Sequence, residues 1–155
     1  MDPKAEAIDA FAQNWSRNIN YAFPPFCLIG RILYKICKER PTLVLIAPVW
    51  LGKVWYPALL EALREFPLLL SQTDNFLWDP NNRPHPLAQN GSLFLAAWKI
   101  SGRISNRELF LQRLRRLSSN SLRQVLQNST VLPSVCGSAG VVNGLEIRFT
   151  LLPVV

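Results

Sequence analysis

The chain has 155 residues, of which 49% are hydrophobic and 17% are charged, and its formal net charge is +7. This length suits one domain with a single core, and this composition excludes a disordered chain. The longest apolar run, Leu43 to Leu51, is interrupted by Pro48 and is far shorter than the ~20 residues that span a bilayer. The start, Met-Asp-Pro-Lys, lacks the pattern of a secretory signal, so we expect an intracellular protein without a membrane partner.

The first third of the chain predicts alternating helices and strands. Residues 5–15 predict a short helix, and residues 20–22 a short strand. Residues 26–40 have an apolar and a charged face, which predicts an amphipathic helix that ends at Pro41. Residues 42–47 lack polar alternation, which predicts a strand that is covered on both faces and runs parallel to the first.

The middle of the chain continues this order. Residues 55–65 predict a helix with Leu59, Leu60 and Leu63 inward, and residues 66–71 and 92–100 predict two further strands. Residues 79–86 have the composition of a loop. This loop contains His85, the single histidine, which we expect to be an exposed side chain rather than a metal ligand.

The C-terminal third is basic. Residues 1–100 carry ten basic and eight acidic side chains, whereas residues 101–155 carry seven and two. Residues 105–127 predict a helix that opens with a capping box at Ser105 to Glu108. Residues 128–144 are rich in Ser and Gly and predict an irregular segment, and residues 145–155 predict a loosely attached strand or tail.

The basic helix offers candidate contacts to nucleic acid. Its candidate side chains are Arg113, Arg115, Arg116 and Arg123. Such a face would bind phosphates without reading sequence, although a solvated helix face explains the same residues about as well.

The three cysteines do not have the spacing of a metal site. Cys27 and Cys37 are ten residues apart in one predicted helix, or ~15 Å at the usual rise per residue, which is too far for a disulfide. We therefore expect them, and Cys136, to be buried thiols. We predict no metal site.

The segment Phe23-Pro24-Pro25-Phe26 follows the first predicted strand. Two prolines fix the backbone and remove two donors, which favours a rigid loop with free carbonyls and a fixed direction for Phe26. In an open α/β sheet such a loop lies at the carboxyl end of a strand, where ligands bind. The next strand leads to Trp50, Lys53, Trp55 and Tyr56, which we expect at the same edge of the sheet.

This Pro-Pro-aromatic loop resembles the catalytic loop of DNA amino-methyltransferases. Over nearly the whole chain, the order of short motifs resembles the methylase-like region of DIRS-type (tyrosine-recombinase) retrotransposon polyproteins, which follows the reverse transcriptase and ribonuclease H. The matching segments are 9–16, 21–26, 45–50, 55–57, 95–102 and 136–142. The resemblance implies an α/β fold, the second half of a doubly wound methyltransferase-like sheet in the order β-α-β-α-β-β. That half would occupy residues 1–102, followed by the basic helix (103–127) and an irregular tail (128–155).

The resemblance also implies roles for the loop, and these are only partly met. The first loop position should offer a polar oxygen to the target amine, but it is Phe23, which has none. Phe23, Pro24 and Phe26 could still supply a carbonyl and a stacking ring, and with Pro25 they form a degenerate catalytic loop. A rigid loop that packs both phenylalanines inward explains the residues about twice as well. Lys53 could meet a phosphate, and Trp55 and Tyr56 could stack on a base, although large side chains that close the core are favoured.

No cofactor site is expected. S-adenosylmethionine binding in this fold class needs a glycine turn after the first strand and an acidic residue after the second, and neither precedes the Pro-Pro loop. We therefore expect a polyprotein fragment or relic without catalytic activity, which binds nucleic acid weakly and non-specifically and can self-associate through an uncovered sheet edge. The alternatives are a DNA adenine methyltransferase that needs a missing N-terminal half, and a host interaction module.

Overall fold

The structure, a computed structural model, describes residues 9–16, 19–70, 77, 83, 93–125 and 138–151, and of residues 119–125 and 151 it describes the backbone alone. The strands are β1 (Ile19–Ala22), β2 (Thr42–Pro48), β3 (Leu68–Leu69), β4 (Leu95–Ser101), β5 (Ser138–Val142), β6 (Leu145–Arg148) and β7 (Thr150–Leu151). The α-helices are α1 (Ile29–Glu39), α2 (Tyr56–Glu61) and α3 (Ile104–Val125), and short 3-10 helices span Ala10–Ala12 and Phe26–Leu28. The loop predicted over residues 79–86, with His85, lies outside the described residues apart from Arg83.

Five of these strands form a mixed sheet in the order β1-β2-β4-β3-β7, and β5 pairs with β6 in a second sheet. β1 and β2 are parallel, as predicted, with Tyr21 level with Val44. β4 is antiparallel to both of its neighbours, with Lys99 opposite Val44 and Ala96 opposite Leu69. The prediction of an α/β fold is confirmed at this level: the fold is mixed α/β and is built on a mixed sheet.

One face of the two central strands, β2 and β4, is fully covered. Its residues on the two central strands are Leu43, Leu45, Ala47, Ala96, Trp98 and Ile100, all with no exposed surface. They form one core with the buried residues of the three α-helices. Val44 and Ile46 point to the opposite face, because side chains alternate along a strand, and there they are only half-buried. The expectation that β2 is covered on both faces is therefore wrong, and the described helices contribute to one face rather than to two.

Helix α1 forms where the apolar spacing predicts it. Its buried residues, Ile29, Ile32, Leu33 and Ile36, are at most 5% exposed. The helix ends at Glu39, and the next residue, Arg40, has a left-handed backbone (φ 57°) and donates its N–H to the carbonyl of Ile36 at 2.9 Å. Pro41 follows and cannot continue the helix.

Residues 9–16 form a strap across α1 rather than the corresponding part of the helix predicted over residues 5–15, whose first residues lie outside the described ones. Within the described residues it has a single 3-10 turn, capped by Asp9, whose carboxylate accepts the N–H of Phe11 at 2.8 Å. Trp15 is buried, and its backbone N–H donates to Glu39 at 3.0 Å. Lys35 donates to the carbonyl of Phe11 at 2.8 Å, so polar contacts to α1 replace helical hydrogen bonds here.

Two predicted elements, the helix over residues 55–65 and the strand over residues 66–71, are shorter than expected. Helix α2 ends at Glu61, since Leu63 forms a β-bridge with Ile100 and the N–H of Ser101 donates to Ala62 at 2.8 Å. Strand β3 covers two residues, because Pro67 before it has no N–H to give. The predicted inward orientation of Leu59, Leu60 and Leu63 is confirmed.

Helix α3 begins at Ile104, so the predicted capping box at Ser105 is wrong. Ser105 lies inside the first turn, and Ser101 accepts hydrogen bonds near the helix start instead. Its hydroxyl oxygen accepts the N–H of Arg103 and the side-chain amide of Asn106, both at 3.2 Å.

The predicted irregular segment is wrong for residues 138–142, which form β5, whereas the strand predicted after residue 145 is present as β6 and β7. Strands β5 and β6 form a hairpin around Asn143 and Gly144, whose φ values of 51° and 76° match a two-residue turn of type I′. Buried hairpin residues, including Val142 and Ile147, belong to the same core as α1 and α2. The three predicted segments 1–102, 103–127 and 128–155 thus all contribute to one core.

Candidate nucleic-acid interface

The two loops that follow β1 and β2 meet at one edge of the sheet. Because the strands are parallel, their carboxyl ends lie side by side. The loop after β1 is Phe23 to Phe26, and the loop after β2 is Val49 to Trp55. This is the edge where open α/β sheets place their ligands.

The Pro-Pro loop is rigid but not as open as expected. Pro25 has an extended backbone (φ −50°, ψ 135°) and precedes the 3-10 turn that starts at Phe26. Its carbonyl accepts the N–H of Leu28 at 2.9 Å, so this predicted free acceptor is engaged. Phe23 is 45% exposed, whereas Phe26 is half-buried and packs against the core. The prediction that a rigid loop packs both phenylalanines inward therefore holds for Phe26 but not for Phe23.

The loop after β2 brings an aromatic ring and a cation to the Pro-Pro loop. The Phe26 and Trp50 rings lie edge to face, with centroids 5.0 Å apart. The ammonium of Lys53 lies 5.4 Å from the centroid of Trp50, within cation–π range. The N–H of Lys53 donates to the carbonyl of Trp50 at 3.1 Å, and this turn fixes the position of Lys53 relative to the ring.

The side chains of Trp55 and Tyr56 pack into the core rather than lie open to a ligand. Tyr56 is 2% exposed, and its hydroxyl donates to the carbonyl of Ala139 at 2.8 Å. Burial raises the pKa of Tyr56 to about 12. Trp55 is half-buried and packs against the core beside the Tyr56 ring. The Phe23 ring is therefore exposed enough to stack on a base, whereas the Tyr56 ring is not.

A groove of about 690 Å³ runs from the Pro-Pro loop along β1 and under the strap. Phe23 and Pro24 lie at its loop end, and Ile32 and Leu43 lie deeper in it. Asn20 lines it as well, and its side-chain amide donates to the carbonyl of Trp15 at 2.9 Å. The groove adjoins the outer side of β1, which pairs with no other described strand.

The row of exposed side chains on β1 extends this surface. Ile19 and Tyr21 are 72% and 69% exposed. They lie two residues apart and so share one face of the strand, and Phe23 continues the same spacing beyond its end. β1 is also the terminal strand of the sheet among the described strands, whereas the apolar face of α1 is covered.

The arginines of α3 are exposed but do not form a single face. Arg113, Arg115 and Arg116 point away from the buried stripe that contains Phe110 and Leu114. At about 100° per residue, Arg113 and Arg116 lie close together around the helix, and Arg115 lies on the other flank. The side chain of Arg123 is outside the described part of the chain.

The cysteine prediction is wrong for both described thiols. Cys27 and Cys37 are exposed. Cys37 falls at the edge of the apolar stripe of α1, beyond the reach of the core, and Cys136 lies outside the described residues. Over the described residues there is no cluster of three or more His, Cys, Asp or Glu side chains that could hold a metal ion.

A scan of protein-family models, a search of curated proteins and a search of solved structures each found no match to this chain. Among the helices of the described ranges, none is both long and apolar enough to span a membrane.

Proposed function

We propose that this chain is a methylase-like region of a retrotransposon polyprotein that lacks catalytic activity and binds single-stranded nucleic acid through the loops after β1 and β2. The observation that carries the proposal is that Phe23, in the loop after β1, and Trp50 and Lys53, in the loop after β2, lie at the carboxyl ends of two parallel strands. The two loops meet there through the contact between the Phe26 and Trp50 rings. We call Phe23, Trp50 and Lys53 the stacking site.

The stacking site combines the two contacts that single-stranded nucleic acid requires. An aromatic ring stacks on a base of any sequence, which is worth ~1–3 kcal/mol per base, and a lysine meets a phosphate. In the unbound chain the ammonium of Lys53 lies over the Trp50 ring. A base that stacks on this ring displaces the ammonium, which then lies close to the phosphate next to that base. The binding is therefore expected to be independent of sequence and dependent on salt.

The absence of catalysis follows from the first loop position. Amine methylation needs an oxygen there to orient the amine, and the phenyl ring of Phe23 has none. A missing transition-state contact of this kind costs on the order of 3 kcal/mol, or ~100-fold in rate.

The topology supports the origin that the motif order suggests. The sheet joins two parallel strands to an antiparallel β4, which lies between β2 and β3. A half-sheet that ends in an antiparallel pair is what the resemblance implies, and a preceding half would pair with β1, the terminal strand of the described sheet.

The test is fluorescence anisotropy with a labelled single-stranded oligothymidylate of about 20 nucleotides and with a duplex of equal length. We expect Phe23→Ala and Trp50→Ala each to weaken single-strand binding by ~5- to 150-fold, the equivalent of the stacking energy, and to change duplex binding little. Tyr34→Ala is the matched control, since Tyr34 is 70% exposed on α1. Equal losses in all three variants, or none, would contradict the stacking site.

The open side of β1 favours one second candidate, a DNA adenine methyltransferase completed by another chain. In that case the chain alone would lack the cofactor half, and a partner would pair with β1. Isothermal titration of the isolated chain with S-adenosylmethionine separates the two functions. We expect no binding, and a dissociation constant at or below ~100 μM, about −5.5 kcal/mol, would revive the enzyme.

A further inference from the structure

The end of the sheet opposite the stacking site holds a close junction between α1, β4 and α3. Gly102 separates β4 from α3, and its N–H donates to the carbonyl of Pro41 at 3.4 Å. A Cβ at Gly102 would lie 2.0 Å from the carbonyl oxygen of Ile36, so the backbones approach at a distance that only glycine permits. The chain thereby brings Arg40 and Arg103, which are 63 positions apart, to the same place.

The junction contains a small cleft that three arginines line. We call it the arginine cleft. Arg40, Arg103 and Arg107 border a volume of about 290 Å³ together with Cys37 and Ser101. The Nε of Arg103 donates to the backbone carbonyl of Arg40 at 3.4 Å. Both side chains are exposed, so their guanidinium groups remain accessible to solutes.

The cleft is positively charged because a single carboxylate accompanies the three arginines. Glu61 lines it too, and its Oε2 lies 3.8 Å from Nη2 of Arg107. In the part of the chain that the structure describes, neither Arg40 nor Arg103 forms a salt bridge. Like charges repel, so the cluster is held together by the backbone contacts of Gly102 rather than by neutralising acids.

The backbone of Arg40 adds a second observation. A left-handed residue after a helix is usually Gly or Asn, because a Cβ there is strained. Here the position carries a long cationic side chain with a φ of 57°. This conformation places a guanidinium at the rim of the cleft at a cost in backbone energy.

We propose that the arginine cleft binds a phosphate group. The planar guanidinium group of arginine matches the spacing of two phosphate oxygens and binds both through a pair of parallel hydrogen bonds. The ammonium group of lysine cannot form this pair. Three such forks around one small cleft suit a single tetrahedral dianion or one phosphodiester of a chain. The proposal goes beyond the stacking site and does not depend on it, because the two lie at opposite ends of the sheet.

Two exposed cysteines provide a site-resolved test. Cys37 lines the arginine cleft, whereas Cys27 lies in the 3-10 turn after the Pro-Pro loop. The full chain is alkylated with iodoacetamide, and modification of each cysteine is followed by peptide mass spectrometry. One arm adds inorganic phosphate, a second adds single-stranded oligothymidylate, and a third adds sodium chloride at matched ionic strength.

We expect phosphate to slow alkylation of Cys37 by ~10-fold at ten times its dissociation constant, because only the unoccupied fraction reacts freely, and to leave Cys27 unchanged. R40Q/R103Q should abolish this protection, and R113Q/R115Q on the outer side of α3 should retain it. Circular dichroism checks that each variant is folded, and the ratio of rates with and without phosphate removes any intrinsic change in thiol reactivity.

The two ligand arms separate the sources of the phosphate group. Protection of Cys37 by both ligands identifies a phosphodiester-compatible cleft, and protection by inorganic phosphate alone identifies a site for a small anion. No protection by either ligand, equal protection of both cysteines, or protection that persists in R40Q/R103Q would overturn the proposal. A failure of the stacking site in the anisotropy test leaves these results unaffected.

Discussion

The hydroxyl of Tyr56 donates a hydrogen bond of 2.8 Å to the backbone carbonyl of Ala139, 83 residues further along the chain. Tyr56 begins α2, and Ala139 lies in β5, so this bond joins the C-terminal hairpin to the rest of the core. The Tyr56 ring also meets Trp98 of β4 edge to face at 5.7 Å. Contacts between helix, sheet and hairpin therefore converge on one side chain.

Removal of the Tyr56 hydroxyl should destabilise the protein without affecting nucleic-acid binding. In Tyr56→Phe the buried carbonyl of Ala139 loses its donor, which we expect to lower the free energy of unfolding by ~1–3 kcal/mol. Urea denaturation measures the change. Tyr34→Phe, at an exposed tyrosine, should unfold like the parent, and an equal loss in both variants would count against this assignment.

The same hydroxyl should make stability fall at alkaline pH. The pKa of Tyr56 is raised from 10.0 to about 12 in the folded protein because burial disfavours the phenolate. A raised pKa means that the folded state holds the proton more tightly, so this contribution is complete below pH 10 and is lost as pH rises from about 10 to 12. The stability difference between the parent and Tyr56→Phe should shrink over that window. Parallel pH profiles would contradict the prediction.

The strap should weaken at acidic pH through Glu39. The ammonium of Lys35 and then the backbone N–H of Trp15 hold the pKa of Glu39 below its ordinary value of 4.5. A lowered pKa adds stability above the unfolded-state value, and this stability is lost as pH falls through the folded-state value. Glu39→Gln should therefore be less stable than the parent at pH 7 and should approach it in acid. Urea melts across this range test the convergence, and Lys35→Met should reduce the acid dependence of the parent.

Two glycines should respond to alanine in opposite directions. Gly102→Ala places a Cβ against the carbonyl of Ile36, where only backbone movement can relieve the clash, so we expect a loss of ~1–3 kcal/mol or more. Gly30→Ala lies on the exposed side of α1 with nothing within 4 Å of the added carbon, and it should gain ~0.5–1 kcal/mol. Thermal unfolding of both variants gives the two signs. A neutral Gly102→Ala would mean that α1 and the turn before α3 are not in close contact.

Local periodicity predicted the elements that form locally. The apolar spacing of Ile29, Ile32 and Ile36 gives α1, and the run from Leu43 gives β2, because burial of one face decides each of them. The end of α2 was not predictable in this way. It depends on the pairing of Leu63 with Ile100, 37 positions away, and no local pattern encodes that register.

The hairpin is a different case, because its signal was present in the sequence. Asn143-Gly144 lies between apolar residues that alternate with polar ones, which is the strongest short-range indication of a two-residue β-turn. The high Ser and Gly content of residues 128–144 instead favours an irregular segment, and this is why no hairpin is predicted there. The arginine cleft had no such signal, since Arg40 and Arg103 come together only through the close approach at Gly102. Of the candidate site, the sequence predicted the meeting of Phe26, Trp50 and Lys53 but not which rings stay exposed.

The arginines of α3 give a final prediction, which tests whether one flank of the helix contacts duplex DNA. Arg113 and Arg115 are both exposed, but residues two apart are separated by about 200° around an α-helix, so one straight duplex cannot reach both. Arg116 lies within about 60° of Arg113, which makes their flank the more basic one.

We expect Arg113→Ala to lower the slope of log affinity against log salt by about one, because one phosphate contact releases about one counterion. Arg115→Ala should leave the slope unchanged, and Gln112→Ala is the uncharged control on the same exposed side. Alanine favours helix, so α3 should persist in each variant. Anisotropy titrations of a labelled duplex across salt concentrations give the slopes. Equal drops for Arg113→Ala and Arg115→Ala would mean that the duplex contacts both flanks, and no drop in either would reduce the basic helix to a solvated surface.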